Sequence, residues 1–278
     1  MKKIIVFIVF VLFSAFPYHS DSKELNTIMM QATCKIKGEG SLGTGFIIGK
    51  PDPTNPPKAF YALVTAAHVL KAVRGDTIIL LLRKRDESGL WKRLNVPIQI
   101  RNNNNPLWKT HPQVDLAAMF VRLPEGAIET LLTTNFLLTD EQLEKYEIHP
   151  GLDILCLGYP FGAEANEYGF PILRSGKIAS YPLTPTKELK TFLFDFAVFR
   201  GNSGGPVYFV QKNPTYGRSV HLGKTIHGIL GIVVREKNIT QKIEQLYERK
   251  ETITPLSLAE VIHATFIREL VDTLGTPQ

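Results

Sequence analysis

Short runs rich in β-branched and aromatic residues recur from residue 28 to residue 274, and Gly, Pro and Asn separate them. Runs of this length and composition are typical of strands. The pattern predicts at least ten strands, at residues 32–37, 45–48, 60–65, 77–83, 96–100, 116–121, 152–158, 172–180, 191–196, 206–210 and 226–234. Because helical runs do not alternate with these strands, the sequence predicts an all-β, antiparallel fold rather than a βαβ sheet.

Three segments depart from the strand pattern. Residues 257–274 begin with a capping box, Ser257 and Glu260, and continue with apolar residues at helical spacing. This segment is predicted to be an amphipathic helix that docks on the sheets. The charged residues 242–250 fit either a short helix or an ordered loop, and residues 139–146 fit a short helix in the break between two halves of the chain.

The amino terminus has the pattern of an export signal. Lys2 and Lys3 precede ten uncharged apolar residues, 4–13, and a polar stretch follows Pro17. This order is typical of a secretory signal peptide, here residues 1–20, and the apolar run is too short to span a bilayer core of about 30 Å comfortably. We expect a periplasmic or secreted protein. The alternative is an uncleaved segment that tethers the protein to a membrane through residues 4–16.

Charge and cysteine content argue against nucleic-acid binding and against a fold held together by disulfides or zinc. The formal net charge of +6 falls to +4 when Lys2 and Lys3 are removed, and the basic residues are dispersed, so nucleic-acid binding is not expected. Two cysteines cannot form a disulfide scaffold or a four-cysteine zinc site. In an oxidising compartment Cys34 and Cys156 fit either a single disulfide or two buried free thiols.

Three short segments carry candidate chemistry. His68 ends a strand-like run of small and apolar residues, and Asp115 begins another run that is otherwise apolar. Ser203 lies between glycines, which allow a sharp turn, leave the hydroxyl uncrowded and direct two N–H groups to one point. A serine needs a base to become a good nucleophile, a histidine suits that role near neutral pH, and a carboxylate orients the histidine. The three residues therefore predict a catalytic triad.

The sequences around the triad resemble those of chymotrypsin-fold serine proteases, over about residues 31–234. GTGFII at 43–48, TAAH at 65–68 and DLA at 115–117 are similar to motifs of that family. Asp195, Ala197, RGNSGG at 200–205 and LGYPFG at 157–162 most resemble the bacterial HtrA-type enzymes. The resemblance implies two packed six-stranded antiparallel β-barrels with the catalytic groups between them.

The resemblance also implies a division of the chain. We expect a signal peptide at 1–20, a first barrel at 25–125, a linker at 126–150, a second barrel at 151–240 and a C-terminal extension with the amphipathic helix at 241–278. That extension leaves no room for the PDZ domain that many HtrA-type proteins carry. Asn202 replaces the aspartate of the digestive enzymes, so activation by a newly cut amino terminus is not expected.

Further site residues follow from the resemblance. The backbone N–H groups of Gly201 and Ser203 are expected to form the oxyanion hole. Ala197 is expected at the base of the pocket for the side chain before the cut bond, where it offers no carboxylate to a cationic substrate. The wall of that pocket is expected from Gly231, Ile232 and Val233, and Val233 should narrow the entrance. Together they predict cleavage after small or medium apolar residues.

Two rival functions fit less of the sequence. In an α/β-hydrolase the serine loop runs directly into a helix, whereas residues 206–210 have a strand sequence, which argues against an esterase. An inactive, protease-like binding protein remains an alternative that a serine-directed covalent inhibitor would test. No metal-ligand spacing and no phosphate-binding loop is evident, so the expected partner is a peptide or protein substrate, with no cofactor and no metal.

Overall fold

Two antiparallel sheets contain most of the strand residues in the computed structural model, which describes residues 24–52, 54–55, 59–245 and 248–275. The predicted signal peptide lies outside the described residues. In the part that is described, no helix is long and apolar enough to cross a membrane.

The N-terminal half supplies nine strands and two helices. The helices are α1 (Leu25–Ala32) and α2 (Ala67–Lys71). The strands are β1 (Thr33–Gly38), β2 (Ser41–Pro51), β3 (Ala59–Thr65), β4 (Thr77–Arg85), β5 (Trp91–Gln99), β6 (Arg101–Asn102), β7 (Asn105–Pro106), β8 (Lys109–Thr110) and β9 (Ala117–Phe120). Their sheet has the order β5-β4-β1-β2-β3-β9-β8, while β6 and β7 form a separate small hairpin.

In the C-terminal half, the described residues form eight strands and two further α-helices. The helices are α3 (Asp140–Lys145) and α4 (Ala264–Asp272). The strands are β10 (Asp153–Gly158), β11 (Ile172–Lys177), β12 (Thr191–Asp195), β13 (Pro206–Lys212), β14 (Thr215–Tyr216), β15 (Ser219–Val220), β16 (Thr225–Gln245) and β17 (Glu248–His263). The second sheet has the order β11-β10-β13-β16-β17-β12, with β14 and β15 as another small hairpin.

Each sheet buries one apolar cluster, and the larger cluster joins the two halves. It contains the inward residues of the first sheet, such as Ile78, Leu80 and Leu82 of β4, together with Ile232 of β16 and Ile262 of β17. Alternate residues of a strand point to opposite faces, which explains why Val233 belongs to the second cluster while its neighbour Ile232 belongs to the first. The packed contact between the two sheets therefore contains residues of both halves.

Strand predictions agree with the structure over most of the chain, but the C-terminal prediction was wrong in part. Residues 257–263 are strand, and only Ala264–Asp272 is helical. Glu260 does not cap a helix, because its carboxylate accepts hydrogen bonds from Arg235 and Thr191. The expected helix or loop at 242–250 is also wrong: its described residues form the two arms of a hairpin made by β16 and β17.

The strand content of both sheets also differs from the predicted architecture. Strand β17 lies between β16 and β12, so residues 248–263 belong to the second sheet and not to a C-terminal extension. The first sheet has seven strands rather than six. Helix α1 was not predicted, whereas α3 lies in the predicted position, with Thr139 and Gln142 forming a capping box.

The two cysteines are free thiols. Cys34 lies in the first apolar cluster and Cys156 in the second, and neither is bonded to another cysteine. Burial raises the pKa of each thiol to about 12, because a thiolate would lose its hydration there. Of the two alternatives from the sequence, the structure therefore shows buried free thiols.

Candidate active site

Strand pairing brings His68 and Asp115 together. His68 lies in the short helix α2 that follows β3, Asp115 lies just before β9, and β3 pairs with β9. The His68 backbone N–H donates to Asp115 Oδ1 at 2.9 Å, and His68 Nδ1 lies 2.6 Å from Asp115 Oδ2. One carboxylate thus holds both the backbone and the ring of the histidine.

This contact determines which ring nitrogen is left for chemistry. A carboxylate accepts hydrogen bonds, so Nδ1 carries the proton and Nε2 has a free lone pair. Partial burial raises the pKa of Asp115, but the hydrogen bond from His68 and the charges of His68 and Lys71 outweigh it and leave the pKa below its usual value. Asp115 is therefore an anion that orients His68 and stabilises its protonated form.

The loop before β13 holds Ser203 in a conformation that requires glycine. Gly201 and Gly204 have φ values of +99° and +86°. A Cβ at Gly204 would lie 2.0 Å from the carbonyl oxygen of Thr44, and one at Gly201 would lie 2.2 Å from that of Tyr159. Side chains at either position would therefore clash with backbone as well as strain the turn.

Thr44 in β2 joins this loop to the first sheet. Its N–H donates to the Ser203 carbonyl at 2.9 Å, and its hydroxyl donates to the Gly201 carbonyl at 2.6 Å. The same hydroxyl oxygen accepts the N–H of Tyr159 at 3.2 Å. Sequence reasoning did not assign Thr44 a role, although its place between two glycines at 43–45 was a signal that backbone approaches closely there.

These contacts also orient the expected oxyanion donors. The carbonyls of Gly201 and Ser203 both point to Thr44, and among the described residues their two N–H groups have no hydrogen-bond partner. Free N–H groups two residues apart on a tight turn are suited to binding a developing oxyanion. The prediction for Gly201 and Ser203 stays a prediction that this geometry supports.

Packing brings Ser203 to the side of the cleft that holds His68, but no hydrogen bond joins the two residues in the described structure. A Cβ at Gly204 would lie 3.1 Å from the N atom of Ala66, two residues before His68. The Ser203 hydroxyl instead donates to the carbonyl of Val234 at 3.2 Å. Catalytic hydrogen bonds are often loose or misaligned without substrate, so the lack of a hydrogen bond between Ser203 and His68 does not contradict the predicted triad.

The predicted substrate-pocket residues lie in two different settings. Ala197 is half-buried and its carbonyl accepts a hydrogen bond from Arg174 Nη1 at 2.8 Å. Ile232 and Val233 are fully buried in the first and second clusters, and a Cβ at Gly231 would lie 1.8 Å from the Ile262 carbonyl oxygen. The roles of these residues in a pocket wall stay predictions.

The edge of β16 becomes free immediately after Val233. The Val233 N–H donates to the Gly205 carbonyl, and the Val233 carbonyl accepts the N–H of Gly204. Strand β13 pairs with β16 only up to Ile232, so beyond these contacts the β13 side of β16 has no strand neighbour among the described residues. This open edge begins next to the Ser203 hydroxyl.

Comparison with known proteins places this geometry in context. The family model described as "Trypsin-like peptidase domain" matches residues 43–213, which is more than half of the chain. No curated protein matches the sequence of this chain.

Three of the solved structures that are similar to this chain have low sequence identity to it. Rv3671c from M. tuberculosis H37Rv, in an inactive form, is 16% identical with a TM-score of 0.46 and covers 95% of each chain. The protease Anisep from Arthrobacter nicotinovorans is 14% identical with a TM-score of 0.46, covering 88% of this chain and 95% of its own. The thermostable serine protease AL20 from an extremophilic microorganism is 10% identical with a TM-score of 0.49, covering 90% and 99%.

Proposed function

Because the chain belongs to the trypsin-like peptidase domain family, it is a serine endopeptidase, and we propose that its catalytic residues are Ser203, His68 and Asp115. The observation that carries the assignment is the pair of contacts from one carboxylate to His68, which leaves Nε2 free, while Gly204, next to Ser203, packs against Ala66, two residues before His68. Peptides and proteins are its substrates.

The reaction follows from these positions in two stages. Ser203 Oγ turns from the Val234 carbonyl to His68, attacks the carbonyl carbon of the substrate and gives its proton to Nε2. The N–H groups of Gly201 and Ser203 stabilise the oxyanion, and His68 then protonates the leaving amine. A water activated by the same histidine hydrolyses the acyl-enzyme and restores Ser203.

We further propose that the enzyme cuts after small or medium apolar residues. The base of the expected pocket is Ala197, and the guanidinium of Arg174 lies against the Ala197 carbonyl and over the ring of Phe196, 4.0 Å from its centroid. A cationic substrate side chain would meet no carboxylate and would approach a like charge. Cleavage after Lys or Arg is therefore disfavoured.

We also propose that the protein is exported from the cytoplasm before it acts. Lys2, Lys3 and the apolar residues 4–13 support removal of the amino-terminal segment outside the cytoplasm. Amino-terminal sequencing of exported protein should return a start beyond the apolar run. Recovery of Met1 would instead show a tethered enzyme.

The triad is tested by a fluorophosphonate probe, which reacts only with an activated serine. We expect labelling of Ser203 in the parent and none in Ser203→Ala or His68→Ala, with peptide cleavage lowered by several orders of magnitude in both variants. Asp115→Asn should lower kcat by about 10⁴-fold, because it presents the wrong tautomer of His68. A parent protein that neither reacts with the probe nor cuts peptides would instead be an inactive binding protein.

A further inference from the structure

An arginine lies where the free edge of β16 begins. Arg235 directly follows Val234, whose carbonyl accepts the Ser203 hydroxyl. Its side chain is 72% exposed, yet its Nε donates to Glu260 Oε2 at 2.5 Å. Glu260 is only 12% exposed, and its other oxygen accepts the hydroxyl of Thr191 at 3.1 Å. An anchored acid thus holds an exposed cation in one orientation.

Strand pairing shows which face Arg235 occupies. Arg235 pairs with Glu260 in β17, and directly paired residues point to the same side of a sheet. Ala259 and Val261, on either side of Glu260, both belong to the second apolar cluster. Glu260 and Arg235 therefore lie on the opposite face, which is the face of Ile262 in the first cluster. A bulge in β16 between Val233 and Arg235 brings Arg235 to this face, although Val233, two residues earlier, belongs to the second cluster.

The two Nη groups of Arg235 are available to bind a ligand. Both oxygens of Glu260 are engaged, and the Nη groups of Arg235 have no hydrogen-bond partner among the described residues. Glu236 pairs with Ala259, so it lies on the other face of the sheet. The hydrogen bond and charge of Glu260 raise the pKa of Arg235, and the charge of Asp115 adds to this effect, so the guanidinium lies within electrostatic range of Asp115.

A peptide that adds to the free edge of β16 would present alternate side chains to this guanidinium. Its reactive carbonyl lies at Ser203, level with Val234, and residues upstream of that carbonyl then run along Arg235 and beyond. Since side chains alternate, the second and fourth residues before the cut bond face the same side as Arg235. A guanidinium with two free Nη groups matches the two oxygens of a carboxylate.

We infer that Arg235 selects substrates with Asp or Glu at the second or fourth position before the cut bond. This inference rests on the proposed function and adds a substrate class to it. Arg235 is then a residue for substrate selection that the catalytic chemistry does not require. Its removal should change the ranking of substrates and leave the cleavage of neutral ones unchanged.

The test uses the full mature protein and matched peptides with Val before the cut bond. Each pair carries Glu or Gln at the second position, or Glu or Gln at the fourth. At low ionic strength we expect the parent to prefer Glu in at least one pair by about three- to tenfold in kcat/KM, a size typical of a partly exposed ion pair, and to lose the preference in high salt.

Variants separate a local contact from the overall charge. Arg235→Gln should bring the Glu/Gln ratio to one with unchanged kcat/KM on the Gln peptides, and Arg235→Glu should prefer Lys over Gln at the same position. Arg218→Gln is the matched control. Arg218 is exposed in the turn between β14 and β15, which follows the end of β13 and is therefore remote from Ser203. This variant should keep the parent preference.

The outcomes distinguish this inference from the proposed function. A Glu/Gln ratio of one at both positions in a parent that cuts all the peptides would overturn the role of Arg235 alone. An equal loss of preference in Arg218→Gln would also overturn it, since the overall charge would then be the cause. A parent that cuts no peptide and does not react with the fluorophosphonate would overturn the proposed function together with this inference.

Discussion

At the scale of single residues, the hydroxyl of Thr44 connects the two halves of the site. It donates to the Gly201 carbonyl and accepts the Tyr159 N–H, while the Thr44 backbone holds the Ser203 carbonyl. Thr44→Val removes the hydroxyl at nearly constant volume and should lower kcat by about 10²-fold, the size of effect expected when oxyanion donors are misplaced. Thr44→Ser keeps the hydroxyl and should stay within a few-fold of the parent.

Steady-state kinetics that report kcat and KM separately, together with Tm, test this role of Thr44. We expect the loss in kcat, with KM nearly unchanged and both variants folded at the assay temperature. A Thr44→Val enzyme with the parent kcat would show that the loop keeps its geometry without the hydroxyl. Equal losses in the Val and Ser variants would show that the methyl packing, not the hydroxyl, matters.

His263 makes the stability of the fold depend on pH. It is 2% exposed beside the ring of Phe192, and burial lowers its pKa to about 4, with a smaller opposing effect from the charge of Asp140. The unfolded chain, in which the pKa returns to about 6.5, binds the proton more readily, so acid favours unfolding. The stability contribution of neutral His263 is present above about pH 6.5 and is lost as the pH falls towards 4.

Urea unfolding at several pH values between 7 and 4 measures this loss. Relative to His263→Phe, which cannot titrate and keeps a flat ring, the parent should lose roughly 3 kcal/mol of unfolding free energy across that range. Other groups that titrate there, such as His227, are present in both proteins and cancel in the difference. Parallel pH curves for the two proteins would contradict the prediction.

At the scale of elements, β16 and β17 extend beyond the strands that pair with them in the second sheet. Strand β12 pairs with β17 at Leu258–Ile262, and β13 pairs with β16 at Thr225–Ile232. From Asn238 to Pro255 the described pairing is between the two hairpin arms alone. An isolated two-stranded hairpin is only marginally stable in water, so this distal part has little tertiary support.

Hydrogen exchange should therefore divide this hairpin into two parts. We expect amides of Ile229–Val233 to exchange at rates close to those of global unfolding, and amides beyond Asn238 to exchange orders of magnitude faster through local opening. Replacing residues 239–254 with a short Asn-Gly turn should lower Tm by no more than a few degrees. Equal protection along both arms would indicate that the distal part is covered in solution.

At the scale of the whole molecule, Arg83 ties three regions together. It is 2% exposed in β4, and its guanidinium donates to the carbonyls of Met30 and Gln31 in α1, to the carbonyl of Thr33 in β1 and to that of Gly169 after β10. It also donates to the Tyr159 hydroxyl at 3.0 Å, and its Cζ lies over the ring of Phe170, 4.7 Å from the centroid. One side chain thus satisfies carbonyls from both halves of the chain.

Removing Arg83 should destabilise the whole fold. Arg83→Met fills part of the volume but leaves several buried carbonyls without a donor, each at a cost of about 1–3 kcal/mol, so we expect the unfolding free energy to fall by at least about 3 kcal/mol. Arg83→Lys, which keeps the charge but offers a single nitrogen, should be destabilised nearly as much. Denaturant unfolding measures both; a loss below about 1 kcal/mol in either variant would contradict this account.

The segments of the proposed triad could be identified from the sequence because their signals are local. Glycines around Ser203 allow a turn that few other sequences can form, and the apolar runs before His68 and after Asp115 mark strands that end at a cleft. Runs of β-branched and aromatic residues separated by Gly, Pro and Asn likewise predicted most strands of both sheets. Each of these signals depends on a few neighbouring residues, so it can be recognised without knowing which strand is the partner.

Contacts between distant residues decided the rest. Residues 257–263 carry a helical signal, yet hydrogen bonding on both edges by β16 and β12 makes them a strand, because pairing with two neighbours outweighs a local preference. The free state of Cys34 and Cys156 was likewise open in the sequence. The glycines beside Thr44 signal only a close approach of backbone, and Arg235 has no local signature of function. Folding brings Thr44 against the loop of Ser203 and holds Arg235 on Glu260. Such contacts between distant residues produce no periodic pattern in the sequence, so they could not be predicted from it.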